Sequence, residues 1–255
     1  MADEEKTTST DPEEMTEETK QALADRFADR ARRYAERGNF RAAVEAYRNA
    51  VALRPLQIDY YFELGNCYSA LGEHANAVVM YEAVIEQNQT WPEAFYNLGN
   101  AYLQTDQIDK AIEMYRAAIE LNEAFAEAHD NLGCAYNRQG KYEEALECHR
   151  KALAINPDSA PTYDNLGYAH FKLNDLDEAE AAHRKSLELN DEDGNAYYNL
   201  GLVHAARGKI ADAIDAFRTA FEKDPALREL AATDEDTAAL RDRPEFRALL
   251  ESLAE

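Results

Sequence analysis

The residues of this 255-residue chain best suited to chemistry are its six histidines and three cysteines. His149 and His183 stand 34 residues apart, as do His170 and His204. Imidazoles brought together between helices could hold a transition metal. They could equally be rings of aromatic size filling a core, each with one hydrogen bond to a tyrosine or to the backbone, and this simpler reading is adopted. Cys67, Cys134 and Cys148 are odd in number and lack metal-ligand spacing, so they read as buried thiols in a reducing compartment. No P-loop, dinucleotide-binding glycine motif, HExxH or GxSxG occurs. The chain therefore reads as a non-enzyme, with no catalytic residue, no cofactor and no metal expected.

A second set is chemically suited to binding. Asn97, Asn131, Asn165 and Asn199 recur at the same interval of 34, and a side-chain amide offers both donor and acceptor to a peptide backbone.

The elements that position these residues follow from that interval. Six blocks of 34 residues run from 24 to 227, beginning at Ala24, Ile58, Pro92, Ala126, Ala160 and Gly194. Leu-Gly recurs from Leu64-Gly65 to Leu200-Gly201, followed three residues later by Tyr68, Tyr102, Tyr136, His170 and His204. An alanine column (Ala43, Ala77, Ala111, Ala145, Ala179, Ala213) stands one helical turn before Tyr47, Tyr81, Tyr115, His149, His183 and Phe217. Apolar residues recur at helical spacing in both halves of each block, so each block is a helix, a turn and a helix. Gly38, Gly72, Gly140 and Gly208, with Asp106 and Asn174 in their place elsewhere, mark the ends of the first helices, where φ is often positive. A mid-helix glycine costs about 1 kcal/mol against alanine. Its recurrence in the Leu-Gly column points to close approach of another backbone.

On these residues the chain resembles the tetratricopeptide repeat (TPR) family, whose 34-residue signature combines Leu-Gly-x-x-Tyr, Ala-x-x-x-Phe/Tyr and a closing proline. Pro55, Pro157 and Pro225 close three blocks, whereas Gln89, Glu123 and Asp191 replace proline in the others. The resemblance implies an all-α fold, a right-handed α-solenoid of tandem helix-turn-helix units. The expected organisation is an acidic disordered tail over 1–16, helices and repeats over 17–227 (24–57, 58–91, 92–125, 126–159, 160–193, 194–227), and capping helices over 228–255, with Pro244 opening the last.

The resemblance also implies a protein-interaction scaffold holding an extended segment of a partner in a concave groove lined by the first helix of each repeat. The groove residues would be the asparagine ladder, with Tyr96, Asp130, Asp164 and Tyr198 one position before it, Tyr168 three after, and Arg138 and Lys172 farther along. A basic clamp for a carboxylate terminus is not expected, because Arg138 and Lys172 sit beside Asp130 and Asp164. A moderately apolar or basic segment fits better. The alternative is assembly with itself or a larger complex through the ends and convex face. Fifty acids against 27 bases give a net charge of −23, which argues against nucleic acid and anionic membrane as partners. The acidity suits either a soluble, self-avoiding surface or a source with high internal salt. With no signal region or membrane span in the sequence, a cytoplasmic location is expected.

Overall fold

The computed structural model describes residues 15–252. The first fourteen residues of the acidic stretch, and the last three of the chain, lie outside the described part. The described residues divide into two compact units, with the boundary between Glu123 and Ala124. Among the described residues there is no strand.

The first unit holds three helical hairpins: α1 (Glu17–Glu36) with α2 (Phe40–Leu53), α3 (Ile58–Ala70) with α4 (His74–Gln87), and α5 (Pro92–Gln104) with α6 (Ile108–Leu121). Thr16 caps α1 by accepting from the Thr19 N–H, Asn39 does the same for α2 with Ala42, and Pro92 opens α5. The second unit repeats the pattern with α7 (Ala126–Arg138) and α8 (Tyr142–Ile155), α9 (Ala160–Lys172) and α10 (Leu176–Leu189), and α11 (Gly194–Ala206) and α12 (Ile210–Lys223). It ends in α13 (Ala226–Thr233), a 3-10 helix (Glu235–Leu240) and α14 (Pro244–Ser252).

The turn inside each hairpin is fixed by one column. Gly38, Gly72, Gly140 and Gly208 have φ between +72° and +74°, and Asp106 and Asn174 adopt +60° and +63°. That left-handed residue lets the next N–H reach back to the carbonyl of the tyrosine/histidine column, as in Glu73 N–H to Tyr68 O at 2.9 Å and Lys209 N–H to His204 O at 2.9 Å. The second helices stop in register whether or not proline follows. Their C-caps at Asn88, Asn156, Asn190 and Asp224 are extended, and each side chain accepts from the N–H two residues on: Thr90, Asp158, Glu192 and Ala226. At these four the stop is thus an Asx turn, formed after Asn88 and Asn190 with Gln89 and Asp191 in place of proline, whereas α2 stops at Arg54 before Pro55.

Packing explains the other columns. Every member of the alanine column is fully buried. The Leu-Gly glycines face not a backbone, as the sequence suggests, but the ring on the second helix of the same hairpin. A Cβ added at Gly133 would lie 2.5 Å from His149, at Gly167 2.6 Å from His183, and at Gly65 and Gly99 2.7 Å from Tyr81 and Tyr115. At Gly201 the nearest atom, on Phe217, is 3.1 Å away. The side-chain-free position is the socket for the ring.

After α12 the chain folds back over the last hairpin. Leu227, Leu240, Phe246 and Leu249 join Phe217 and Phe221 in one buried cluster. The Phe246 ring meets Phe217 edge-on at 5.2 Å.

Candidate binding faces and the residues behind them

The same two columns that form each hairpin core also approach the faces of the first helices, and their chemistry changes along the chain. In the second and third repeats the pairs are aromatic: Phe62 with Tyr81 at 5.9 Å and Tyr96 with Tyr115 at 6.1 Å. The Tyr81 and Tyr115 hydroxyls donate to Asn66 and Asn100 at 2.8 and 2.7 Å. In the fourth and fifth repeats both rings become imidazoles, and both facing residues become aspartates. His149 Nδ1 lies 2.7 Å from Asp130 Oδ1, and His183 Nδ1 lies 2.7 Å from Asp164 Oδ1. The sixth repeat returns to aromatics, Tyr198 on Phe217 at 5.2 Å. The histidine partners are therefore carboxylates, not the tyrosines or backbone groups expected from sequence. An imidazole N–H bonded to a carboxylate replaces an edge-on ring pair in the same socket.

The asparagine ladder feeds this arrangement. Asn165 Nδ2 donates to Asp130 Oδ2 at 3.2 Å, and Asn199 Nδ2 donates to both oxygens of Asp164 at 3.0 and 3.2 Å. In the first unit Asn97 Nδ2 donates to Asn66 Oδ1 at 3.1 Å. These amides tie one first helix to the previous one. Asn131 is half-buried on α7 and also has a bonding partner. Asp164 and Tyr198 are buried, while Tyr96 and Tyr168 are half-buried and Arg138 is exposed.

At the far end of the second unit the chain's own acids occupy the face. Lys172 Nζ contacts both Asp236 oxygens at 2.7 and 2.9 Å while lying 5.6 Å above the Tyr168 ring. The Tyr198 hydroxyl donates to Asp234 at 2.6 Å. Desolvation lowers the Lys172 pKa, but the Asp236 hydrogen bond and the neighbouring acids and phenols outweigh it, so the net shift is upward. Lys172, Tyr168 and Tyr198 thus serve the turn that closes the unit.

The first unit leaves an open cavity of about 370 Å³. Phe62 and Trp91 stack at 4.4 Å on its wall, and buried Tyr47 also lines it. Asp25, Asp59 and Glu63 supply carboxylates and, among the described residues, Arg32 the one cation of the lining. Arg32 is already paired with Asp29 at 3.1 Å. Within the described residues Asp59 and Glu63 accept only from the neutral amides of Gln57 and Asn66, at 2.8 and 3.3 Å. The Tyr60 hydroxyl, donating at 2.6 Å, and the Gln21 amide hold Asp25 below the usual carboxylate range. Burial first, and Glu63 second, push the Tyr47 phenol up to about 12. The cavity is aromatic, acidic and short of cations. Phe62 and Glu63 stand in the same columns as Tyr96 and Asn97, whereas Trp91 lies in a connection between repeats, outside those columns.

His204 on α11 carries a pH response of its own. It is buried with Nδ1 unpartnered, and burial lowers its pKa below 6.5 against the opposing pull of Glu180 and Asp212. The unfolded chain takes up a proton there more readily than the folded one. The stability this neutral ring contributes is therefore full above about pH 6.5 and is lost as pH falls through the lower folded value. Melting curves between about pH 7.5 and 5.5 should show a smaller loss in His204→Phe than in wild type; equal losses would contradict this.

A stack of helical hairpins with sockets at fixed intervals and open first-helix faces defines the class: a tandem-repeat α-solenoid. Family models described as tetratricopeptide repeat match residues 92–158, 125–192 and 165–227, and a TPR repeat model matches 31–72 and 65–106. The chain belongs to the tetratricopeptide repeat family, a family of protein-interaction scaffolds. Comparison with curated proteins found no match. Among solved structures, the MamA protein is 27% identical, with a TM-score of 0.62 over 67% of this chain and 93% of MamA. YrrB, described as a TPR protein with an unusual peptide-binding site, is 21% identical with a TM-score of 0.57 over 71% of this chain and 94% of its own. The Cut9–Hcn1 hetero-tetramer of APC/C aligns at 18% identity and a TM-score of 0.68, over 94% of this chain but 46% of that one. The last two show the fold alone. Among the described residues, no helix is long and apolar enough to cross a membrane.

Proposed function

We propose that this chain is a non-catalytic scaffold that holds an extended, cationic segment of a partner protein against its first-helix faces, anchored in the cavity beside Trp91. The observation that carries the reading is that stacked Phe62 and Trp91 rings stand next to Asp59 and Glu63, two carboxylates bonded, among the described residues, only to neutral amides. An arginine or lysine entering there gains a ring face and a carboxylate together. Cation–π contact contributes about 0.5–2 kcal/mol, and an exposed ion pair up to about 1 kcal/mol. The net charge of −23 draws such a segment in. The peptide-binding site of YrrB, a protein of the same fold, supports the general mode. The ladder contributes differently from a direct clamp: Asn97, Asn165 and Asn199 spend amide donors between repeats and hold the faces in register.

The test is calorimetric titration with a short extended peptide alternating arginine and leucine, beside its glutamate counterpart. The arginine peptide should bind and the glutamate peptide should not. Trp91→Ala should weaken binding about 5- to 30-fold, corresponding to about 1–2 kcal/mol, and Glu63→Gln should flatten its salt dependence. Preference for the glutamate peptide, or indifference to both substitutions, would rule the anchor out.

A further inference from the structure

The fourth repeat differs from the third at three positions, and the three differences converge. The column occupied by Asn66 and Asn100 faces the second-helix ring of its own repeat, since those asparagines accept from Tyr81 and Tyr115. In the fourth repeat that column holds Cys134, the ring is His149, and the facing residue is Asp130. Asp130, Cys134 and His149 each offer a ligand atom, all within 4.8 Å of one another. The fifth repeat has the same aspartate and histidine, Asp164 and His183, but Tyr168 in place of the thiol.

We propose that Asp130, Cys134 and His149 form a site for a divalent zinc-like ion, bridging α7 and α8. Thiolate, imidazole and carboxylate are the donor types zinc takes, at about 2.0–2.3 Å, which sets tetrahedral ligand atoms about 3.3–3.7 Å apart. Closing the trio on an ion needs only small side-chain shifts. Thiolate and carboxylate together neutralise a dication, which suits a place where the His149 side chain is 0% and the Asp130 side chain 15% exposed. The fourth position falls to water.

The surroundings supply outer support. Asn165 Nδ2 already holds the second Asp130 oxygen at 3.2 Å, orienting the carboxylate. On coordination the Cys134 thiol proton leaves to solvent, and the proton that His149 Nδ1 donates to Asp130 moves to Nε2. Nε2 now faces the Asn137 amide nitrogen at 3.3 Å, while Asn137 Oδ1 is buried without a partner. Turning that amide over gives the new Nε2–H its acceptor and gives up the 3.4 Å bond from Asn137 Nδ2 to the Asn165 carbonyl.

The experiment titrates cobalt(II), a spectroscopic stand-in for zinc, into the reduced, chelator-stripped full chain. Wild type should develop thiolate-to-cobalt charge-transfer absorption that saturates at one equivalent and is displaced by zinc. Cys134→Ala should lose the absorption, Cys148→Ala should keep it, and His149→Tyr, which restores the ring of the second and third repeats, should weaken binding at least tenfold. Asn165→Ala should weaken it about tenfold as an outer partner. Zinc should raise the melting midpoint of wild type and leave that of Cys134→Ala unmoved. Folded wild type without the band, or a band of full intensity in Cys134→Ala, would overturn the site.

Discussion

Gly133→Leu is expected to destabilise the second unit by about 1–3 kcal/mol, the usual cost of overpacking a filled core. The smaller change Gly133→Ala carries the sharper test. In an open helix, alanine is better than glycine by about 1 kcal/mol. At Gly133 a Cβ alone would stand 2.5 Å from His149 Cε1, so the sign should invert and the alanine variant should unfold at lower urea than wild type. Gly201→Ala, with 3.1 Å to Phe217, should be milder. His149→Ala should relieve most of the Gly133→Ala penalty in a double-mutant cycle, because it empties the socket. A higher unfolding midpoint for Gly133→Ala would remove the socket account of this column.

Truncation after Lys223 should have a larger effect. It removes Leu227, Leu240, Phe246 and Leu249, all buried against Phe217 and Phe221, and each such side chain contributes about 1.5–3 kcal/mol. The loss is comparable with the whole stability of a typical domain, about 5–15 kcal/mol. It also strips Asp236 from Lys172 and Asp234 from Tyr198. The truncated chain should aggregate or lose its cooperative melt, measured by light scattering alongside circular dichroism. A truncated chain that stays monomeric with a wild-type melt would show that the final helices are dispensable.

Turns and packing columns were legible in the sequence because each recurs in five or six of the blocks, so position within the repeat substitutes for knowledge of neighbours. Asp106 and Asn174 could be placed at the left-handed turn for that reason alone. What contacts what across a hairpin was less legible. The glycine column implied a close neighbour, yet only the folded hairpin shows that the neighbour is the ring of the second helix. A signal was nevertheless present: Asp130 and Asp164 appear in the same two repeats where His149 and His183 replace aromatic rings, and such paired change marks contact. The Asx stops at Asn88, Asn156 and Asn190 leave a trace of the same kind, an asparagine at one fixed position of the repeat. The ladder carries two meanings at once, since an amide at constant spacing suits a ligand and the next repeat alike, and Asn97, Asn165 and Asn199 bond to the preceding first helix. The Trp91 cavity left a partial trace: Phe62 and Glu63 stand in the columns of Tyr96 and Asn97, but only the folded chain stacks Trp91 on Phe62.

We propose that this scaffold takes a cationic segment at Phe62, Trp91, Asp59 and Glu63. The most direct test is the amide spectrum of the isotopically labelled full chain, recorded during titration with the arginine–leucine peptide. The account predicts shifts concentrated on α3 and the start of α5, largest around Phe62, Glu63 and the Trp91 indole, and absent in Trp91→Ala. Shifts confined to the ends of the repeat array or to the outer faces of the second helices, with the Trp91 indole unmoved, would contradict it.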